Sequence, residues 1–229
     1  PRSALACDNR PTPIMNDPLA VLISFVYVFL ALGIAEGLRR GLKLDLEFTR
    51  KFVHIAVGMW AWGTAALFQN KWMAIITPAI FVVLNSVSYR YGLFLAMESR
   101  NKSNLGTIFF PIAFIVVLLL FWEHNKAFFV ASLMPMTWGD AFAAIIGKRF
   151  GRHRYRLVGS TRSVEGSLTM LLLSFVATAA ALLVFGVAAW LPISLVVALE
   201  ATGIEALSPY GLDNLLVPAI SAAALTLLG

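Results

Sequence analysis

Long apolar segments separated by short polar ones fill most of the chain. They run at about 19–37, 52–68, 72–88, 107–122 and 127–147, with three more at 167–185, 193–207 and 215–228. A helix needs roughly 20 apolar residues to cross a bilayer, so the shorter runs require tilt or local thinning. The pattern predicts an all-α, polytopic transmembrane helix bundle of seven to eight helices, with the last two the least regular.

Composition supports a membrane protein with one domain. Hydrophobic residues make up 59% of the 229 residues and charged residues 13%, which excludes an ordinary soluble domain. We expect a single transmembrane domain over residues 15–229. Residues 1–14 contain three prolines and no apolar period, so we expect an unstructured leader or an expression remnant there. Cys7 is the only cysteine, which leaves no disulfide pair.

Lysine and arginine concentrate in the segments that follow the first, third and fifth apolar runs. These segments hold 14 of the 18 basic residues: Arg39, Arg40, Lys43, Arg50, Lys51, Arg90, Arg100, Lys102, Lys148, Arg149, Arg152, Arg154, Arg156 and Arg162. Basic residues beside membrane helices remain in the cytoplasm, so we predict an outside N-terminus and cytoplasmic basic loops. The formal charge of +6 therefore reflects topology and indicates no nucleic-acid partner. The small single domain favours a bacterial plasma membrane.

Four acidic residues, Asp140, Glu200, Glu205 and Asp213, lie within or beside apolar segments. An unpaired charge in a membrane is costly and commonly functional. Asp140 precedes Lys148 by eight residues, about 12 Å along a helix, so it lies within reach of the cytoplasmic face. This indicates an active site on the cytoplasmic side, with helix packing as the alternative role for Asp140.

Small residues recur every four positions at Gly139, Ala143, Gly147 and Gly151. Such a face admits a neighbouring helix or a phosphate. The stretch 147–166 adds glycines, hydroxyls and six basic side chains immediately before the sixth helix, which is typical of polyphosphate sites, although no Walker motif is present. The predicted nucleotide contacts are Gly139, Gly147, Lys148, Arg149, Gly151, Ser160, Thr161, Arg162, Ser163 and Gly166.

Two further acidic residues each have two interpretations. Glu165 either compensates the dipole of a helix that Ser163 caps, or joins Asp140 in binding Mg²⁺ with phosphate oxygens. Asp213 is either the N-cap of the last helix or a metal ligand. Both alternatives stay open on the residues alone.

Three blocks of sequence resemble the family of CTP-dependent lipid kinases. The blocks are RKFVHIAVG at 50–58, GDAFAAIIGKRFG with STRSVEGSL within 139–168, and EALSPYGLDNLLVPAI at 205–220. The family includes dolichol kinase, phytol kinase and the fungal CTP-dependent diacylglycerol kinase, with distant similarity to phosphatidate cytidylyltransferase. Arg162 stands where the family often has lysine, so a planar guanidinium group with several donors replaces a compact ammonium group.

The resemblance implies transfer of the γ-phosphate of CTP to phytol, a polyprenol or dolichol, or diacylglycerol, with Mg²⁺ or Mn²⁺. The implied catalytic residues are Asp140, Lys148 and Arg162, and the implied metal ligands are Asp140, Glu165 and Asp213. Contacts with substrate or phosphate are implied for Arg50, Lys51, His54, Glu205 and Asn214. Two rival functions stay open: a cytidylyltransferase that forms a CDP-lipid, and a small ion-coupled transporter. Homodimerisation also stays open.

Overall fold

The computed structural model describes residues 16–92 and 104–229; the predicted leader, Cys7, Arg100 and Lys102 lie outside this range. The described part contains eight helices. They are α1 (Asp17–Gly41), α2 (Leu46–Leu67), α3 (Lys71–Tyr91), α4 (Gly106–Phe121), α5 (Lys126–Phe150), α6 (Val164–Val184), α7 (Trp190–Leu207) and α8 (Asp213–Leu228). The predicted all-helical bundle is confirmed, at the upper end of the predicted helix count.

Five of the described helices, α1, α3, α5, α6 and α7, are long and apolar enough to cross a membrane. Helices α4 and α8 are apolar but have only 16 residues each. Helix α2 is 22 residues long and carries Arg50 and Lys51 near its start. The chain is therefore a multi-pass membrane protein.

Polar side chains define where several helices begin. Asn16, Asn70 and Asn125 accept hydrogen bonds from the first free backbone N–H groups of α1, α3 and α5. Ser163 does the same for α6, where its hydroxyl accepts from Gly166 N at 3.1 Å. These caps satisfy donors that the helix itself leaves unpaired. The predicted capping role of Ser163 is confirmed.

Helix α5 lies at the centre of the bundle. Within an apolar stretch of 18 residues, 72% of the α5 residues are buried, against 28–33% in the corresponding stretches of the other four candidate spans. It packs against α2, α4, α6 and α8. Its middle section, Pro135–Asp140, is π-helical. Wide turns of this kind often mark functional sites, and this one ends at Asp140.

Two glycines bring neighbouring helices close to this π-helical section. A Cβ at Gly58 of α2 would lie 2.1 Å from the Thr137 hydroxyl, and a Cβ at Gly139 would lie 2.3 Å from the Ser174 hydroxyl of α6. Close helix packing, which was one of the two predicted alternatives, therefore accounts for Gly139. The approach of α2 to α5 aligns the start of α2 with the end of the π-helical section.

A β-hairpin occupies part of the segment that the sequence analysis treats as a loop. Strands β1 (Arg154–Leu157) and β2 (Ser160–Ser163) pair antiparallel, with Arg154 opposite Ser163. The connecting residues Val158 and Gly159 have φ of 45° and 81°, as a two-residue turn of the I′ type requires. The hairpin leads directly into α6.

Candidate active site

Three carboxylates from different helices meet at the end of the bundle that carries the hairpin. Asp140 ends the π-helical section of α5, Glu205 lies near the end of α7, and Asp213 begins α8. Each offers one oxygen within 4.8 Å of the others, and all three side chains are buried. The fourth acidic candidate, Glu200, is not a member of this group. We call these three residues the carboxylate cluster.

Two cationic side chains contact the carboxylate cluster. Lys51 of α2 is buried and donates a hydrogen bond to Asp140. Arg162 of β2 forms ion pairs with Glu205 (Nε to Oε1, 2.9 Å) and Asp213 (Nη2 to Oδ2, 3.5 Å). Two cations against three carboxylates leave one formal negative charge among these five residues. Like charges at this spacing repel, so the arrangement favours a further cation.

Arg162 also ties the hairpin to the end of α7. Its Nη2 donates to the backbone carbonyl oxygens of Glu205 and Ser208, both at 3.2 Å. These carbonyls lie at the helix C-terminus, where cations are favoured by the helix dipole. The planar guanidinium therefore spans carboxylates and carbonyls together, which a lysine could not do in the same way.

The donor set of the cluster fits Mg²⁺ or Mn²⁺. These hard cations prefer oxygen ligands, and Mg²⁺ commonly takes one or two carboxylates together with phosphate oxygens. Asn214 steadies one ligand, since its Nδ2 donates to Asp213 Oδ1 at 2.9 Å and to the Gly211 carbonyl at 3.3 Å. Such hydrogen bonds fix the orientation of ligating carboxylates. Asp213 does not cap α8, because the N-cap position is Leu212.

His54 links α2 to the π-helical section. Its Nε2 lies 2.8 Å from the Met136 carbonyl oxygen and 3.8 Å from Asp140 Oδ2. A carbonyl only accepts hydrogen bonds, so Nε2 carries the proton in this contact. The imidazole also packs on the Phe110 ring at 4.5 Å between centroids. His54 is therefore held in one orientation beside the cluster.

A narrow cavity of about 90 Å³, here called the apolar slot, lies beside the cluster between α2, α3 and α4. The residues at its polar end are Arg50, Lys51, His54, Asn85 and Asn214. Its deeper walls are formed mainly by Val57, Trp60, Thr64, Ala74, Thr77, Pro78, Phe81, Phe110, Pro111 and Phe114. Four of the five sequence-predicted substrate or phosphate contacts therefore line one cavity, and Glu205 is the exception.

Asn85 lies at the polar end of the apolar slot and was not predicted from the sequence. Its Nδ2 donates to the Thr107 carbonyl at 2.7 Å, which fixes the amide, while its buried Oδ1 has no hydrogen-bond partner among the described residues. A buried acceptor without a hydrogen bond costs about 1–3 kcal/mol. Its position in the apolar run of α3 was the available signal, because polar side chains are rare inside membrane helices.

A second cavity of about 290 Å³, here called the polar cavity, lies on the hairpin side of the cluster. Its lining is Glu47, Ala143, Ala144, Gly147, Lys148, Arg154, Thr161, Arg162, Ser163, Gly166, Ser167 and Glu205. Six of the ten sequence-predicted nucleotide contacts are among these residues. The first backbone N–H groups of α6 are already paired, since Val164 donates to the His153 carbonyl at 2.9 Å and Gly166 to the Ser163 hydroxyl at 3.1 Å. The positive character of the cavity therefore comes from its basic side chains.

The other four predicted nucleotide contacts lie outside the lining of the polar cavity. Gly139 packs against α6, and Gly151 packs against the side chain of Ser163. Ser160 donates its hydroxyl to the Leu157 carbonyl within the hairpin. Arg149 is exposed and lies over the Phe150 ring, 5.4 Å from its centroid.

Glu165 and Lys148 form surface contacts of their own. Glu165 accepts a hydrogen bond from His153 Nδ1 at 2.8 Å, and it is not part of the carboxylate cluster. Lys148 is half exposed and pairs with Asp45 and Glu47 at the start of α2, the latter at 3.0 Å. The structure thus brings Glu205 to Asp140 and Asp213, and leaves Glu165 apart from them.

Fold and site together define a multi-pass membrane protein whose buried carboxylates lie between an apolar slot and a polar, cationic cavity. The chain belongs to the family of phytol kinases. It is 34% identical over 207 residues to the phytol kinase of Synechocystis sp., covering 89% of each chain. This relationship confirms the resemblance to lipid kinases that the three sequence blocks carry.

More distant relatives extend the comparison to plants. The chain is 26% identical to the probable phytol kinase 1, chloroplastic, of Oryza sativa subsp. japonica, across 93% of this chain and 74% of that protein. It is 24% identical to the farnesol kinase, chloroplastic, of Arabidopsis thaliana, across 78% of this chain and 62% of that protein. No family model and no solved structure matches the chain.

Proposed function

We propose that this protein transfers the γ-phosphate of CTP to the hydroxyl of a lipid alcohol, with phytol as the first candidate, in a Mg²⁺-dependent reaction. The observation that carries the proposal is the position of the carboxylate cluster between the apolar slot and the polar cavity. Two substrates of opposite character, a hydrocarbon alcohol and a polyphosphate, would meet at that junction.

The apolar slot supports a lipid alcohol as acceptor. Ligand sites combine mainly apolar walls with a few placed polar groups, and the slot has this character. The unpartnered Oδ1 of Asn85 at its polar end is an acceptor that a hydroxyl group would satisfy. Two of the relatives are named for phytol and farnesol, which are alcohols of this kind.

The polar cavity supports a nucleotide as donor. Lys148, Arg154 and Arg162 contribute positive charge, and Thr161 and Ser167 contribute hydroxyl groups. Proteins hold polyphosphates with these groups. CTP as the particular nucleotide rests on the resemblance of the three sequence blocks, and a cytoplasmic position of the cavity rests on the distribution of basic residues.

In the proposed reaction the alcohol oxygen attacks the γ-phosphorus and the bond to the bridging oxygen of the nucleoside diphosphate breaks. The hydroxyl proton passes to a carboxylate, for which Asp140 is the candidate since Lys51 and His54 join it to the polar end of the slot. Asp140, Glu205 and Asp213 would hold Mg²⁺, which would supply positive charge to the phosphates. Lys51 and Arg162 hold the carboxylates in place.

The test is phosphoryl transfer by the protein purified in detergent. Wild type, Asp140→Asn and the control Glu123→Gln are incubated with Mg²⁺, phytol and γ-labelled CTP or ATP. Glu123 lies at the opposite end of the bundle, where it pairs with Lys71 at 2.9 Å. We expect labelled phytyl phosphate from wild type and the control, with CTP preferred, and a loss of about 100-fold or more in Asp140→Asn.

Two other results would overturn the proposal. Formation of a CDP-lipid from α-labelled CTP and phosphatidate, without phytyl phosphate, would identify a cytidylyltransferase. Absence of lipid product from both assays would favour the transporter.

A further inference from the structure

We infer that the far end of the apolar slot limits the chain length of the alcohol, with Ala74, Thr77 and Phe114 as the residues that set the limit. The inference rests on the proposed function, because it concerns the acceptor of that reaction. It goes further by assigning the residues that set the limit on chain length, which fits a single chain about as long as that of farnesol or phytol.

The helices that line the slot give its depth. Helix α2 contributes residues from Lys51, beside the cluster, to Thr64, thirteen residues or about 20 Å further along. Helix α3 runs the other way, and from Asn85 to Ala74 it covers eleven residues or about 16 Å. An extended chain advances about 1.2 Å per bond, as an extended backbone does, so roughly 13 to 17 bonds fill this depth.

The far end of the slot is closed by packed side chains. Thr64, Ala74 and Phe114 are all buried, and Ala74 and Phe114 belong to the largest hydrophobic cluster of the bundle. Phe114 packs edge-on against Phe129 with 5.3 Å between ring centroids. A chain that enters from the cluster therefore meets a densely packed core at its end.

One side wall of the slot is fixed. The indole of Trp60 donates to the Ser24 hydroxyl at 3.0 Å and stacks on the Tyr27 ring at 4.5 Å. Tyr27 in turn donates to the Ala56 carbonyl at 2.8 Å. These contacts hold the Trp60 indole in place along the slot.

The opposite wall can open. The slot of about 90 Å³ is narrow, so a chain enters only if α3 and α4 move apart. Both helices carry an internal proline that lines the slot, Pro78 and Pro111, and each proline removes one helical hydrogen bond. Ala74, Thr77 and Phe114 lie beyond these prolines as seen from the cluster. The halves of α3 and α4 nearest the cluster can therefore bend apart while the far end stays closed.

Single substitutions at the closed end test the inference. Ala74→Leu fills the end of the slot. Thr77→Leu fills it one turn closer to the cluster. It breaks no hydrogen bond within residues 16–92 and 104–229, where the buried Thr77 hydroxyl has no partner. The control Val83→Leu changes an exposed position of the same helix. For each variant, kcat/KM is measured with geraniol, farnesol and phytol, whose chains lengthen in that order.

We expect the ratio of kcat/KM for phytol over geraniol to fall about 10-fold or more in Ala74→Leu, and further in Thr77→Leu. Activity on geraniol is retained in both, and Val83→Leu keeps the wild-type ratio. If Ala74→Leu does not fold, Thr77→Leu decides alone. An unchanged ratio in a folded, active Thr77→Leu protein overturns the inference and leaves the proposed function intact. A wild-type protein that phosphorylates none of the alcohols overturns both.

Discussion

The two ends of the bundle use charged residues in different ways. At the end opposite the carboxylate cluster, Asp17 accepts hydrogen bonds from the backbone N–H groups of Gln69 and Asn70 at 2.9 and 3.0 Å. Lys71 and Glu123 form a pair that is partly exposed. Each of these charges joins one helix end to a neighbouring loop, which is a local, structural contribution.

At the other end, charges from five separate elements converge on a buried point. Lys51 comes from α2, Asp140 from α5, Arg162 from the hairpin, Glu205 from α7 and Asp213 from α8. Buried charges are costly, and apolar side chains of similar volume would often stabilise a fold better. The difference supports the proposal that the buried charges serve the reaction, whereas the surface charges support the fold.

The largest effect is expected from breaking the buried pair. Lys51→Met leaves Asp140 buried without its cation, which costs about 3–5 kcal/mol of stability and abolishes phosphoryl transfer. The matched change at the opposite end, Lys71→Met, breaks a surface pair and costs about 1 kcal/mol or less. Thermal unfolding in detergent, together with the phytol assay, measures both effects.

A double variant separates folding from chemistry. Lys51→Met combined with Asp140→Leu removes both charges, so stability returns close to that of wild type while activity stays absent. If Lys51→Met is as stable as Lys71→Met, the buried pair contributes no more to stability than the surface pair, and the distinction between the two ends is wrong. Phosphoryl transfer by the double variant would show that these two buried charges are not needed for the reaction.

A smaller but more specific effect concerns the metal ligands. Asp213→Asn removes one charge from the carboxylate cluster, so the Mg²⁺ concentration for half-maximal activity rises about 10-fold or more. Glu123→Gln, at the opposite end, keeps the wild-type requirement. Titration of activity with Mg²⁺ at saturating nucleotide and phytol gives the values.

The same titration decides between two ligand sets. Glu165 and Asp213 are both expected from the sequence as ligands beside Asp140, but Glu165 contacts His153 and lies outside the cluster. We therefore expect Glu165→Gln to change the Mg²⁺ requirement far less than Asp213→Asn does. The reverse order would favour Asp140 with Glu165 as the ligand set.

The helices could be predicted because length and apolar character along the chain are sufficient to indicate a membrane span. The hairpin could not, because Val158 adopts φ of 45°, a conformation that β-branched residues rarely take and that no local pattern announces. The turn exists because strand pairing on both sides overrides the preference of that residue. Its consequence for the site is large, since it places Arg162 beside α7.

The site was predictable only in part, for a similar reason. Asp140 stands out as an acid in an apolar run, yet its partner Lys51 is 89 residues away in the sequence. Glu205 meets Asp140 because α5 and α7 reach the same end of the bundle. Sequence spacing carries no information on such contacts. The resemblance grouped Asp140 with Asp213, whereas the contacts of Asp140 with Lys51 and Glu205 were not predicted.

The smallest effect is expected at the surface pair between Lys148 and the start of α2. Lys148 lines the polar cavity but its side chain is 51% exposed and pairs with Asp45 and Glu47. Lys148→Gln should therefore cost less than about 1 kcal/mol of stability. If the ammonium also attracts the nucleotide, the KM for CTP rises about fivefold at low salt, and the difference shrinks as ionic strength increases. Arg90→Gln, an exposed change at the end of α3, leaves KM unaltered. A Lys148→Gln protein with wild-type KM at every salt concentration would show that this lysine only joins α5 to α2.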